Sequence, residues 1–258
     1  MPVLIGTCGW QYRHWRGGLY PPALPSARWL GHYAERFATV EIDSAFYRLP
    51  ERSAFEHWAE AVPPGFVFAT KASRYLTHIR RLTDPAEPVA RLLKRSEGLG
   101  PALGPVLLQL PPTLRADADR LDATLASFPP HVRVAVEPRH DSWWQPEVRA
   151  VLERRGAALC LADRDGHGPP HWRTADWGYV RFHHGRGRPD GCYGREALAG
   201  WAQALARLWP AGADVYAYFN NDTNGCAPRD AHRFALEAAR AGLDPTRTPA
   251  PSETPVSG

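Results

Sequence analysis

The side chains best suited to chemistry recur at one kind of place, the ends of short β-rich runs. Glu41 and Asp43 close one run, Lys71 another and Gln109 a third. Glu137 and Arg139 follow a fourth, Asp163 the next, Arg181 and His183 the next, and Tyr218 and Asn220 the last. Carboxylates, an amine and an imidazole move protons near neutrality, so Glu41, Lys71, Glu137 and His183 are the candidate acid–base groups. Asp43, Gln109, Arg139, Asp163, Arg181, Tyr218 and Asn220 suit substrate binding, the arginines by gripping carboxylate or phosphate through paired donors. Glu41 and Glu137 also form a candidate pair for two-carboxylate hydrolysis, their separation setting the geometry. Glu41, Asp43, Glu137, Asp163 and His183 are metal-ligand types as well. No HxH or HExxH spacing accompanies them, so a divalent metal is the less favoured reading and no residue is assigned to one.

Two loops add ligand chemistry. His183-His184-Gly185-Arg186-Gly187-Arg188 combines glycines with Arg186 and Arg188, a combination that lets backbone amides and guanidinium groups meet an anion. It reads equally well as a flexible basic loop. Asn220-Asn221-Asp222 with Gly225 reads as a ligand loop or a plain turn. Aromatic residues, among them Trp10, Trp15, Phe46, Tyr47 and Tyr75, alternate with Arg48, Arg74 and Arg139. They could stack bases or sugars while the arginines neutralise phosphates. Beside their strands, Trp10 and Phe46 read better as packing, whereas Trp15 and Tyr75 stay open.

The elements that must position these groups alternate along the chain. Eight β-rich runs, 3–8, 39–43, 66–70, 106–109, 133–137, 158–162, 179–183 and 215–220, are mostly followed by amphipathic stretches. That alternation implies parallel βαβ units. Eight in 258 residues fit an α/β protein of the (β/α)8 TIM-barrel type, about 250 residues long. In such a barrel, function sits at the C-terminal strand ends, and alternation places side chains inside or toward the helices. Ser26 and Ser53 are expected helix caps. The sixth crossover, 163–177, has no helical period and carries Gly166, Gly168, Pro169 and Pro170, so a loop or single turn is expected. One domain spans 1–243. The Pro/Thr/Ser-rich tail 244–258 is expected to be disordered.

Composition narrows the class. Hydrophobic residues make up 44% of the chain and no apolar run is long enough for a membrane helix. Met1–Cys8 lacks the basic start of a signal peptide and reads as a first strand. Cys8, Cys160, Cys192 and Cys226 form no CxxC pair, which favours reduced structural thiols and a cytoplasmic location. A net charge of +4 suits an anionic small ligand or nucleic acid without demanding either. The sequence fixes no oligomeric state.

Ordered signatures run through nearly the whole chain. They include Gly6-Thr7-Cys8-Gly9-Trp10, Thr39-Val40-Glu41-Ile42-Asp43-Ser44-Ala45-Phe46-Tyr47-Arg48-Leu49-Pro50 and Lys71-Ala72-Ser73-Arg74-Tyr75. Further on stand Leu108-Gln109-Leu110-Pro111-Pro112, Ala135-Val136-Glu137-Pro138-Arg139-His140, Tyr179-Val180-Arg181-Phe182-His183 and Tyr218-Phe219-Asn220-Asn221-Asp222. Together they resemble the YecE-like family, domain of unknown function family seventy-two. The resemblance implies a TIM-type barrel without an established activity. Asp43 and Ala45 stand where that family usually has Asn and Thr, Pro138 replaces an apolar or aromatic residue, His184 a glycine and Asp230 an asparagine. Asp43 and His184 thereby add ionisable groups at the mouth.

The leading expectation is an enzyme, of lyase, isomerase or hydrolase type, acting by acid–base chemistry on a small polar or anionic, sugar-like substrate. A nucleic-acid-binding or processing protein is the alternative, and a non-catalytic ligand-binding protein a third reading.

Overall fold

A computed structural model describes residues 1–164 and 168–254. Among these residues, nine strands form one all-parallel, curled sheet: β1 (Pro2–Thr7), β2 (Thr39–Ile42), β3 (Val67–Lys71), β4 (Leu103–Gln109), β5 (Val134–Glu137), β6 (Ala158–Asp163), β7 (Gly178–Phe182), β8 (Val215–Phe219) and β9 (Asp244–Pro245). Their order is β2-β3-β4-β5-β6-β7-β8-β1-β9. Each run expected from sequence is a strand, with ends shifted by a few residues. The architecture is α/β and TIM-like.

The two sides of the sheet bury different residues. Val3, Ile5, Val40, Ile42, Leu159 and Leu161 belong to the large core between sheet and helices. Cys8, Ala69, Ala135, Cys160, Tyr179 and Tyr218 belong to a smaller core inside the curl. Alternation within each strand produces this division.

The curl meets itself at a tight seam. Between β1 and β2 there is one parallel bridge, Cys8 with Glu41, and Gly9 N–H donates to the Glu41 carbonyl at 2.9 Å. A Cβ on Gly6 would stand 2.3 Å from the Thr39 carbonyl oxygen, so only glycine permits this approach. Side chains take over where the ladder is missing. Tyr33 hydroxyl accepts from Thr7 N–H at 3.0 Å and donates to the Thr39 carbonyl at 3.1 Å.

The helices are α1 (Trp29–Arg36), α2 (Ser44–Tyr47), α3 (Arg52–Glu60), α4 (Ala86–Ser96), α5 (Ala118–Ala126), α6 (Pro146–Arg154), α7 (Arg195–Leu208) and α8 (Cys226–Arg240). Local chemistry explains several boundaries. Asp117 caps α5 by accepting from Arg120 N–H at 2.9 Å, and Pro146 opens α6, where its missing N–H costs nothing. Ser26 and Ser53 are not the expected caps. Ser26 begins a 3-10 turn before α1, and Ser53 lies inside α3, whose cap position is Glu51. Among the described residues, the sixth crossover contains no helix; its residues 165–167 lie outside them. No described helix is long and apolar enough to cross a membrane.

Two further expectations need correction. The tail is not loose through Thr254. β9 pairs with β1, Thr246 Oγ1 accepts from Ile5 N–H at 3.0 Å, and Arg36 Nε donates to Glu253 at 2.6 Å. Residues 255–258 of that tail lie outside the described residues. Nor are all the cysteines reduced. Cys192 and Cys226 form a disulfide across 34 positions, tying the loop after β7 to the start of α8, while Cys8 and Cys160 are free and buried.

Candidate functional site

Parallel register brings the ends of β2, β3, β4, β5 and β7 to one mouth. Glu41 lies opposite Ala69, Lys71 opposite Leu107 and Gln109 opposite Glu137. Lys71, Gln109, Glu137 and Arg181 have the parity of Ala69, Leu107, Ala135 and Tyr179, which pack inside the curl.

Arg181 is the hub and is fully buried. Its Nη2 donates to Glu41 Oε1 and its Nη1 to Glu137 Oε2, each at 2.7 Å. Nη2 also lies 3.5 Å from Asp43 Oδ1 and from Cys8 Sγ. The Arg181 Nε has no partner among the described residues. Because both terminal nitrogens are committed to buried carboxylates, Arg181 holds the floor of the site together. The sequence reading of it as a direct grip on an anion is therefore corrected.

Each carboxylate has a second supporter. Glu137 Oε1 accepts from Arg139 Nε at 3.1 Å, and Arg139 Nη2 also donates to Gln109 Oε1 at 2.9 Å. Lys71 Nζ lies 3.3 Å from Asp43 Oδ1 and 4.3 Å from the centre of the Phe46 ring. Tyr179 hydroxyl donates to Glu41 Oε2 at 2.5 Å. Tyr179 shares the inward parity of Arg181, two positions on, so alternation alone could have identified it.

These environments separate the proton affinities. Burial raises the Glu41 carboxyl to about 7, Asp43 adding to the rise and Arg181, Lys71 and Tyr179 opposing it. Asp43 is also pushed up by burial, but Arg181 and Lys71 outweigh that and hold it below its ordinary value. Glu137 feels the same burial, yet Arg181, His183 and Arg139 together hold it well below the usual range. Burial lowers His183 against the pull of Glu137, which favours neutral imidazole at pH 7. The Cys8 thiol is pushed far up by burial and by Glu41, so it is no nucleophile near neutrality.

His183 occupies the far side of the mouth. Its Nδ1 lies 3.1 Å from Asn220 Nδ2, and its Nε2 lies 3.3 Å from Glu137 Oε1 outside hydrogen-bond alignment. With the Asn220 amide donating to Nδ1, the proton sits on Nε2 as a donor awaiting an acceptor.

Other expected site residues lie elsewhere. Asp163 has the parity of Leu159 and Leu161 and accepts from Trp201 Nε1 of α7 at 3.0 Å. It belongs to the helix side of the sheet. Tyr218 does face inward, but its hydroxyl bonds Thr39 Oγ1 at 2.7 Å in the fully buried layer below Asn220. Arg186 and Arg188 are exposed on the loop after β7. Of the aromatic residues, Trp10, Trp15 and Phe46 are buried, whereas Tyr47 and Tyr75 are exposed.

The possible metal ligands come together only in part. Cys8, Glu41 and Asp43 cluster closely enough to share a cation. The Arg181 guanidinium already reaches all three and supplies positive charge there. The donor set consequently does not fit an additional metal well.

Two open clefts lie among the loops, and neither is lined by Glu41, Asp43, Lys71, Glu137 or His183. One, of about 570 Å3, includes His14, Trp15 and Asp222. There Asp222 lies 2.6 Å from His14 Nε2 and accepts from Trp15 Nε1 at 2.9 Å, a pairing that the sequence reading missed. The other, of about 580 Å3, includes Phe46, Tyr47, Arg74 and Tyr75.

Comparison with known proteins agrees with the architecture. The family model described as protein of unknown function DUF72 matches residues 4–255. The UPF0759 protein YunF of Bacillus subtilis (strain 168) is 26% identical over 280 residues, covering 94% of this chain and 98% of YunF. The crystal structure of a DUF72 family protein (TM1631) from Thermotoga maritima MSB8 has a TM-score of 0.78 at 27% identity, with 91% of this chain and 98% of that one covered. A DUF72 family protein (EF0366) from Enterococcus faecalis V583 gives 0.77 at 19% identity over 92% and 95% of the two chains, a likeness of fold alone.

Proposed function

The chain belongs to the DUF72 family, whose description names no activity, and we propose from the geometry of its mouth that it is an enzyme performing acid–base chemistry on a small anionic substrate. The observation that carries this reading is the Glu41–Asp43 pair. Two carboxylates share the Arg181 Nη2 group, one raised to about 7 and the other held low. Environments that drive paired groups apart create an acid and a base at one pH.

Asp43 is the solvent-facing end of the pair and Glu41 the buried end. A proton taken up by Asp43 can pass to Glu41. Lys71, beside Asp43, and Arg139, part-exposed above Glu137, supply positive charge for the substrate anion. His183 Nε2–H donates to a substrate oxygen while imidazole stays neutral. Glu137, Gln109 and Arg181 hold these groups in place. The proton therefore moves on the β2 side of the mouth and the oxygen is held on the β5–β7 side.

Small phosphorylated and carboxylated compounds, followed by proton NMR in D2O, test this reading. Turnover or exchange of a substrate C–H is expected with the wild type. Asp43→Asn and Glu41→Gln should each lose about 100-fold or more in kcat, the usual scale for a general acid or base. Lys71→Met should mainly raise KM. Full turnover in both carboxylate variants on a substrate the wild type converts would overturn the assignment. Saturable binding with no conversion across the panel would favour the non-catalytic reading.

A further inference from the structure

We propose that the cleft over the loops after β2 and β3 binds a nucleotide unit, a planar ring carrying a phosphate. This deepens the acid–base reading by naming the substrate class, and it rests on that reading where cleft and mouth join.

The cleft combines two kinds of surface. Tyr47 is 82% exposed and Tyr75 42%, unusual openness for large rings, and Ile79 beside them is 57% exposed. Exposed tyrosine faces are stacking platforms for planar heterocycles. Arg48 and Arg74 also line the cleft and are exposed. Among the described residues neither makes an ion pair, whereas the neighbouring Arg91 and Arg95 are matched by Glu87 and Glu51. Arg91 already lies over the Tyr75 ring, 5.8 Å from its centre, so a ligand ring meets the exposed remainder of Tyr75 and the open Tyr47, beside two uncommitted guanidinium groups that complement an attached anion. The volume, about 580 Å3, lies within the range of small-ligand sites, roughly 300–1,000 Å3.

The backbone there is built unusually. Tyr75–Ile79 form a single π-helical turn, and Arg81, Leu82 and Asp84 follow with φ of 52°, 65° and 45°. Such residues are costly in this region and cluster where strain serves a site. The electrostatics agree: partial burial with Arg74, Lys71, Arg139 and Arg81 pushes His78 down to about 4. Burial is the larger cause of that shift, and only the share due to the four cations favours an anion nearby.

Phe46 connects cleft and mouth. It lines the cleft, packs edge-on against His78 with centroids 4.9 Å apart and carries Lys71 Nζ over its face. A nucleotide stacked on Tyr75 can thereby direct a polar end toward Lys71 and Asp43.

Calorimetric titration with adenosine monophosphate, inorganic phosphate and a ten-nucleotide single-stranded DNA tests the proposal. The monophosphate should bind saturably and inorganic phosphate at least about 10-fold more weakly, since stacking of one base is worth roughly 5- to 150-fold. Tyr75→Ala and Arg74→Ala, both at exposed positions, should each weaken binding about 10-fold or more, and Tyr75→Phe should restore it. Per-site affinity no tighter for the DNA identifies a free nucleotide as ligand. Tighter, steeply salt-dependent DNA binding identifies a nucleotide within a strand. Absence of saturable binding by both, or wild-type affinity in both alanine variants, overturns the proposal. Monophosphate binding is read on the wild type and the cleft variants, and turnover on Asp43→Asn. The cleft and the acid–base pair therefore fail separately: lost turnover with retained binding concerns the mouth, and the reverse concerns the cleft.

Discussion

Arg181 and Glu137 meet at 2.7 Å in a place where neither side chain reaches solvent. The same guanidinium holds Glu41 at an equal distance, so one cation links strands on opposite sides of the mouth. Bringing these charges out of water opposes folding, and their mutual attraction offsets that cost only while the set is complete. The arrangement is better understood as fixing the positions of Glu41 and Glu137 than as a source of net stability.

Arg181→Met should therefore be strongly destabilising, by about 3–5 kcal/mol, the usual cost of leaving buried partners unmatched. Urea unfolding at pH 7 measures it. The deficit should shrink at pH 5, where the stranded carboxylates take up protons. An equal deficit at both pH values would show that lost packing dominates.

How much of this was legible depended on what alternation can reveal. In β2, apolar Val40 and Ile42 mark one face, so Glu41 and Asp43 had to share the other. In β6 both faces are buried, with Cys160 and Ala162 inside and Leu159 and Leu161 outside. Hydropathy does not orient a strand covered on both sides, so the strand-end position of Asp163 leaves its face open, and the structure places it on the helix side. Tyr218 shows a different limit: parity gives the side of a sheet but not the depth. The tail and the disulfide depend on contacts between distant segments, such as Thr246 with Ile5, which local composition does not encode.

The β1–β2 seam offers a packing test. Gly6→Ala places a methyl group against the Thr39 backbone, which has to move and open the seam. Overpacking of this kind typically costs about 1–3 kcal/mol. Gly200→Ala in α7, where a Cβ meets nothing within 4 Å, should instead stabilise by about 0.5–1 kcal/mol. Thermal unfolding of the two variants should move in opposite directions. A neutral Gly6→Ala would mean that the seam is compliant.

The disulfide makes a redox prediction. Closing 34 residues of chain restricts the unfolded ensemble and stabilises by roughly 2–4 kcal/mol. Dithiothreitol should lower the urea midpoint of the wild type accordingly. A Cys192→Ser/Cys226→Ser double variant should begin at the lower midpoint and ignore the reductant. Equal midpoints for wild type with and without reductant, with thiol counting to establish reduction, would show that the bond adds no stability.

Glu41 makes a pH prediction whose sign follows from its environment. Its folded value, about 7, lies above the ordinary 4.5, so between those values the folded protein keeps a proton that the unfolded chain has released. Its contribution to stability is complete below 4.5 and is lost as pH rises through 7. Asp43 and Glu137 act oppositely: their folded values are depressed, so their contributions persist above the ordinary carboxyl range and fade as pH falls below it. His183, also depressed, contributes stability that declines as pH falls below its ordinary 6.5. Overlap makes the wild-type profile alone uninformative, and Glu41→Gln isolates the group. Wild-type stability minus that of Glu41→Gln, from urea unfolding, should fall between pH 5 and pH 8. A flat or rising difference would mean that Arg181 and Tyr179 outweigh burial and keep Glu41 ionised, removing the proton reservoir from the mouth.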